Sequence, residues 1–186
     1  VRDHYGKFVL DGLRYGFEIG AVRSKLVGRR VFRNYKSAYE DIPSLTESIA
    51  SRVSTGKSMV LGTWDVVRPA LDAVFQSYFV FPMGSVPKPH QPSVRRATSD
   101  HTKTGLNAAT IMGILKHSLD TYNEVAYLLK RCAFMHVSDV ADAFMLIPLA
   151  PWLWPFFLFK WCPPDSSGVE HTHVHLFGAF GTRGLP

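Results

Sequence analysis

Asp139 is the residue of this sequence whose position most strongly suggests a catalytic or metal-binding role. It follows the apolar run 133–137, which predicts a buried strand with the Asp139 carboxylate at its end. A carboxylate at such a position is costly unless a cation or a metal ion meets it. The alternative is a helix N-cap, in which Asp139 accepts an amide hydrogen bond at the start of a short helix near 141–146. The spacing alone leaves both roles open.

The residues that follow Asp139 resemble the first catalytic motif of reverse transcriptases. In that motif a strand-end Asp precedes a small residue, an aromatic residue and an IPL-type exit. The corresponding residues here are Ala143, Phe144 and the segment 147–149.

Four other segments resemble motifs of the same family and follow in the family's order. They are LDGLRYGF at 10–17, MGSVPK at 83–88, RATSD at 96–100 with LN at 106–107, and FGTRGLP at 180–186. Their family counterparts read LLDGLxxGF, LGxVPKK, RLIHDLS…VN and PFGLRSAP. The first segment is similar to the reverse transcriptases of retrotransposons that encode a tyrosine recombinase, the DIRS-like class. The resemblance spans nearly the whole chain.

The resemblance implies an RNA-directed DNA polymerase that works by two-metal nucleotidyl transfer. Hard Mg²⁺ (or Mn²⁺) takes carboxylate oxygens and backbone carbonyls, which implies Asp139 as the catalytic, metal-binding carboxylate and Val140 as a carbonyl ligand. The nucleotide, a dNTP, would lie against Ala143 and Phe144. The Phe144 ring would act as a steric gate, because a bulky ring beneath the sugar collides with a 2′-hydroxyl.

Four further residues are implied to contact the nucleotide or the template. Lys88 and Arg96 would clamp the incoming triphosphate through charge-assisted hydrogen bonds. Gly181 and Arg183 would approach the template or the nucleotide, since glycine permits close backbone contact. The alternatives are a solvated basic loop for the first pair and a plain hairpin exit for the second.

The family's second catalytic motif, an aromatic-x-Asp-Asp turn, does not occur in this sequence. We therefore expect a fragment that ends before that motif and is inactive alone. The remainder of the polymerase, its thumb and the rest of its palm, is expected as a partner. The alternative function is a non-catalytic nucleic-acid- or protein-binding module derived from a decayed or domesticated retroelement.

Two other patterns could form sites. His171, His173 and His175 alternate along a predicted strand, and neutral imidazoles bind zinc. Alternate strand residues are about 7 Å apart, however, which favours a polar strand face over a zinc site. The segment 54–58 (STGKS) resembles the end of a phosphate-binding loop, but Ser51 stands where its first glycine is required. A helix C-cap is therefore favoured there.

Periodicity and turn formers predict the elements that position these residues. Apolar residues at every fourth position predict a helix over 43–54 that starts at Asp41 and stops at Gly56. A basic segment at 23–36 is predicted to be an extended arm or a loop. The other predicted elements are β segments with a mobile loop at 60–61, 78–81, 84–88 and 94–100, a helix at 120–130, and a hairpin of strands 156–161 and 171–177.

The uncharged stretch 143–159 is about the minimum length of a membrane-spanning helix. Pro148, Pro151 and Pro155 argue against such a helix, because each removes a helical hydrogen bond and clashes with the preceding turn. A short helix, a turn and a separate strand are predicted instead, without a membrane.

The composition agrees with a globular polymerase fragment. The chain has 186 residues, 46% hydrophobic and 19% charged, which excludes disorder and coiled coil. A net charge of +6 is consistent with an RNA/DNA template-primer as partner. Two cysteines are too few for a disulfide framework, so an intracellular location, cytoplasmic or nuclear, is expected.

The predicted fold class is α+β, and the resemblance implies the fingers and partial palm of a right-hand polymerase. The basic arm and a helical region occupy 1–75, and the fingers and partial palm occupy 76–186.

Overall fold

The computed structural model describes residues 2–88, 91–111, 143–163, 168–179 and 181–183. The predicted helix 120–130 and the predicted strand 133–137 lie outside these residues, as do Asp139 and Val140. The described chain is a mixed α+β structure with a five-stranded mixed sheet and a separate two-stranded hairpin. The α+β prediction is therefore confirmed.

The elements follow one another along the described chain. The helices are α1 (Arg2–Tyr15), α2 (Ile42–Ser54), α3 (Trp64–Val74), α4 (His101–Thr104) and α5 (Leu106–Ala109). The strands are β1 (Arg29–Val31), β2 (Ser58–Thr63), β3 (Tyr78–Val80), β4 (Met83–Lys88), β5 (Gln91–Ser99), β6 (Leu158–Trp161) and β7 (His171–His175). Short 3₁₀ helices occupy Arg23–Lys25, Lys36–Tyr39, Ala143–Leu146 and Pro151–Phe156. Among the helices of this described part, none is long and apolar enough to cross a membrane.

The main sheet has the strand order β1-β3-β6-β7-β2. Strands β1, β3 and β6 are parallel, whereas β7 runs antiparallel to both β6 and β2. The predicted hairpin after the proline-rich stretch is confirmed with shorter strands, since Leu158 pairs with Val174 and Trp161 with His171. The stretch 143–159 forms two 3₁₀ helices and the start of β6, as its prolines predict.

Helix α2 follows its sequence signals. The Asp41 side chain accepts a hydrogen bond from the Ser44 amide at 3.2 Å, as a helix N-cap does. The chain leaves the helix through Gly56, whose φ is +70°, and the Lys57 amide donates to the Arg52 carbonyl at 2.8 Å. The segment 54–58 is therefore a helix C-cap.

Two predictions for this half of the chain are wrong in part. The basic arm is not merely extended, because β1 joins the main sheet with Arg29 opposite Tyr78. The predicted antiparallel β region is confined to β4 and β5, because β2 and β3 belong to the main sheet. A strand of three residues such as β1 carries too short a pattern to be recognised before its partner is known.

The sheet is covered on both faces, because its strand residues alternate between them. One face carries the aromatic side chains Phe79, Phe81, Phe157, Phe159 and Trp161, which are at most 1% exposed. Helix α2 and the β4–β5 hairpin cover one part of this face. Helix α5 and the 3₁₀ helix Pro151–Phe156 cover the other part. Helix α3 covers the opposite face.

Candidate functional site

The motif segment 10–17 is fastened to the segment 147–149, although more than a hundred residues separate them. The Phe17 amide donates to the Pro148 carbonyl at 2.7 Å, and the Ala150 amide donates to the Phe17 carbonyl at 3.2 Å. Gly16 has a φ of +86°, and a Cβ atom there would lie 2.4 Å from the Ala150 nitrogen. Glycine is required at this position because the two backbones approach so closely.

The segment 147–149 is also paired on its other side with the chain that follows β7. The Leu149 amide donates to the Leu176 carbonyl, and the Gly178 amide donates to the Ile147 carbonyl, both at 2.8 Å. Three segments that are distant in sequence therefore lie side by side, with the IPL-type exit in the middle.

Asn107 joins α5 to the residues Gly181–Arg183, which we call the 181–183 turn. Its side-chain amide donates to the Gly181 carbonyl at 2.9 Å and to Thr102 Oγ1 at 2.8 Å. Its side-chain oxygen accepts from the Arg183 amide at 2.8 Å. One side chain thus connects the segment 96–107 to the segment 180–186.

Gly181 also approaches the end of β5. Its φ is +95°, and a Cβ atom there would lie 2.7 Å from the Ser99 carbonyl oxygen. The close approach predicted for Gly181 is made to protein backbone, and its contact with template or nucleotide stays a prediction. Arg183 is exposed beside it.

Asp100, at the start of α4, anchors this region to the basic arm. Its carboxylate accepts hydrogen bonds from the Tyr35 hydroxyl at 2.5 Å and from the Lys103 amide at 2.9 Å. Burial alone would raise the pKa of the Asp100 carboxyl, but these hydrogen bonds outweigh burial and hold it below its ordinary value. Burial and the bond to Asp100 raise the pKa of Tyr35 to about 12.

The Lys103 ammonium lies over the Tyr35 ring, 4.8 Å from its centre. The Asp100 carboxylate, the Tyr35 phenol and the Lys103 ammonium therefore lie together next to the 181–183 turn.

Lys88 and Arg96 both lie on the β4–β5 hairpin. Arg96 pairs with Val86, and both are exposed, whereas the neighbouring Ala97 is buried. Arg96 lies three residues before Ser99, about 10 Å along the strand from the 181–183 turn. Lys88 lies near the far end of the hairpin, opposite Gln91.

The Arg95 side chain is bound to neighbouring elements of the protein. Its guanidinium donates to Ser85 at 2.8 and 3.0 Å and lies 2.7 Å from the Glu40 carboxylate. Its side chain is 18% exposed. The sequence alone does not distinguish the two adjacent arginines, but the fold assigns Arg95 to structure and turns Arg96 outward.

Ala143 and Phe144 lie in the 3₁₀ helix that precedes the segment 147–149. Ala143 is exposed and Phe144 is partly exposed. Asp139 and Val140 lie outside the described residues, so their metal-binding roles and the N-cap alternative remain predictions.

The described residues contain no group of three or more His, Cys, Asp or Glu side chains arranged to hold a metal ion. The polar strand face predicted for β7 is wrong for two of its three histidines. His173 is 5% exposed and His175 is fully buried, because their strand face packs on Phe81 and Phe159. His171 is partly exposed at the strand start.

Tyr35 and Lys103 were not predicted from the sequence, and Asn107 was recognised only as part of a motif. A lone Tyr in a basic arm gives no signal before its contact with Asp100 is known. For Asn107 the signal is its place in the short helix α5, where a side-chain amide can bond a second chain segment.

The described fold defines a mixed α+β class, and sequence comparison adds no family to it. No protein-family model matches this chain, and no curated protein matches it at a significant level.

Proposed function

We propose that this chain is the fingers and part of the palm of an RNA-directed DNA polymerase of the retrotransposon type. The observation that supports the proposal is the contact among segments that resemble motifs of that family. Segments 10–17 and 147–149 pair with each other, and segments 96–107 and 180–186 meet at Asn107. Motifs that build one active site must lie close together in the fold, and these contacts meet that requirement.

The chain's own residues would act on the nucleotide through charge and shape. Arg96 is exposed on the hairpin, where its guanidinium can form bidentate hydrogen bonds with phosphate oxygens. Lys88 would add a point charge nearer the hairpin tip. Phe144, partly exposed in its 3₁₀ helix, presents a ring that can exclude a 2′-hydroxyl.

Asp139 and the Val140 carbonyl would hold Mg²⁺ or Mn²⁺ in this proposal. The bound metal ions would activate the primer hydroxyl and neutralise charge on the triphosphate. Arg183, held by its amide to Asn107 at 2.8 Å, would contact the template or the nucleotide.

Binding of an RNA–DNA hybrid duplex tests the proposal. Because phosphate contacts release counterions, the logarithm of the association constant should fall linearly with the logarithm of salt concentration. Lys88→Gln and Arg96→Gln should each weaken binding and reduce the salt slope by about 1.

Arg68→Gln is the matched control, because Arg68 lies on α3 at the opposite face of the sheet and is 62% exposed. Arg68→Gln also removes one positive charge, and it should leave the salt dependence of binding the same as in the wild-type chain. Absent binding, or equal losses in all three variants, would contradict the proposed interface.

A further inference from the structure

Three buried histidines lie on the aromatic face of the sheet, beneath α4. His101 begins α4, and its ring centre lies 4.5 Å from that of Phe81. His175 on β7 stacks on the same Phe81 ring at 5.6 Å, and His173 stacks on Phe159 at 4.9 Å. We call His101, His173 and His175 the histidine cluster. It connects α4 to the middle of the sheet through phenylalanine rings.

The ring nitrogens of the histidine cluster have few partners among the described residues. Nδ1 of His175 lies 2.7 Å from Ser58 Oγ. Nε2 of His175 and both ring nitrogens of His101 and His173 have no hydrogen-bond partner there. A protonated ring has two N–H donors and a charge, so protonation in place would leave an unhydrated cation among aromatic rings.

The charged groups that face the histidine cluster do not compensate for that cost. From α4, Asp100 attracts a proton toward His101, but its carboxylate is already engaged by Tyr35 and backbone amides. From α2, Arg52 opposes protonation of His175, and His171 on β7 opposes protonation of His173.

The cluster is therefore neutral in the folded protein at neutral pH. Burial lowers the pKa of His101 to about 3 and that of His173 to about 4, and it holds the pKa of His175 well below its ordinary value. A histidine exposed by opening recovers a pKa of about 6.5. The folded state thus binds fewer protons than the open state, so its stability is full above about pH 6.5 and declines as the pH falls toward 4.

We propose that acid opens the protein locally, by drawing His101 out of the sheet and releasing α4–α5 together with the 181–183 turn. Helices α4 and α5 span four residues each and lie outside the strand ladder, so they open more easily than β7, which is hydrogen-bonded to a strand on each side. The turn follows them because Asn107 of α5 holds it. This inference does not depend on nucleic-acid binding.

The effect can be worked out for a single histidine. With a pKa of about 3 in the closed state and about 6.5 in the open state, lowering the pH from 7 to 5 favours opening about 25-fold.

Amide hydrogen exchange followed by NMR at pH 7 and pH 5 tests the proposal. The Arg183 amide reports the turn, and the His175 amide, which donates to the Phe157 carbonyl at 3.0 Å, reports the sheet. Protection at Arg183 should fall about 25-fold at pH 5 and stay far below the protection at His175, which only a wider opening of the sheet exposes. His101→Phe, which keeps an aromatic ring beside Phe81, should abolish the loss at Arg183. His171→Phe is the matched control and should retain it.

Equal protection of the two amides at pH 5 would overturn the proposal, because both would then report one shared opening, as would a loss at Arg183 that His101→Phe leaves unchanged. A second measurement covers the case in which His101→Phe does not fold. The ring protons of the wild-type histidines are titrated by NMR, and the His101 ring should titrate well below 6.5, because the closed state holds it neutral while Arg183 already loses protection between pH 7 and pH 5. A His101 ring that titrates near 6.5 in the folded protein would overturn the proposal.

Discussion

Asn107→Ala should release the 181–183 turn while the sheet stays folded. The wild-type side chain makes three hydrogen bonds of 2.8–2.9 Å, to Thr102, Gly181 and the Arg183 amide. A hydrogen bond contributes about 0.5–1.5 kcal/mol net, and the low end applies because these bonds are exposed to water. Only the bonds to Gly181 and Arg183 hold the turn, so the turn should lose about 1 kcal/mol, which is roughly a fivefold rise in its open fraction.

Amide exchange of Arg183 measures this loss, and urea unfolding measures the stability of the whole chain. Asn107→Asp should lie between wild type and Asn107→Ala, because it keeps the acceptor for the Arg183 amide and loses the donors. Asn34→Ala is the matched control, since it removes bonds of 2.8 and 2.9 Å to Lys160 and Met83 away from the turn. Unchanged Arg183 exchange in Asn107→Ala would refute the role of this side chain.

Three further results are expected. Gly16→Ala should lower the free energy of unfolding by at least about 2 kcal/mol, because its φ of +86° and the nearby Ala150 backbone exclude a Cβ atom; an unchanged urea midpoint would contradict this. Gly6 lies in α1, and nothing lies within 4 Å of an added Cβ atom there. Gly6→Ala should therefore raise the free energy of unfolding by about 0.5–1 kcal/mol. The chain alone should not extend a primer with Mg²⁺, because Asp139 by itself leaves a two-metal site incomplete; incorporation of nucleotide would show that reasoning to be wrong.

Local signals predicted the elements that depend on neighbouring residues. Asp41 and Gly56 fixed both ends of α2, and Pro148, Pro151 and Pro155 correctly excluded a long helix. The turn formers after Cys162 correctly indicated the β6–β7 hairpin. In each case the physical cause lies within a few residues of the effect.

Contacts between distant segments could not be predicted in the same way. The parallel pairing of β1 with β3 joins residues 29–31 to 78–80, and helix α3 carries Pro69 inside it, a residue that argues against a helix. The burial of His173 and His175 depends on Phe81 and Phe159 from other strands. The motif residues of the candidate site were found by resemblance, whereas the bonds of Asn107 and Tyr35 required the fold.

The sequence of the reading frame beyond Pro186 tests the central claim most directly. An RNA-directed DNA polymerase needs further carboxylates beside Asp139 to bind two metal ions. We predict an aromatic-x-Asp-Asp turn within a few dozen residues after Pro186. A stop codon in that interval, or a continuing frame without such a turn, would contradict the assignment and leave a non-catalytic module.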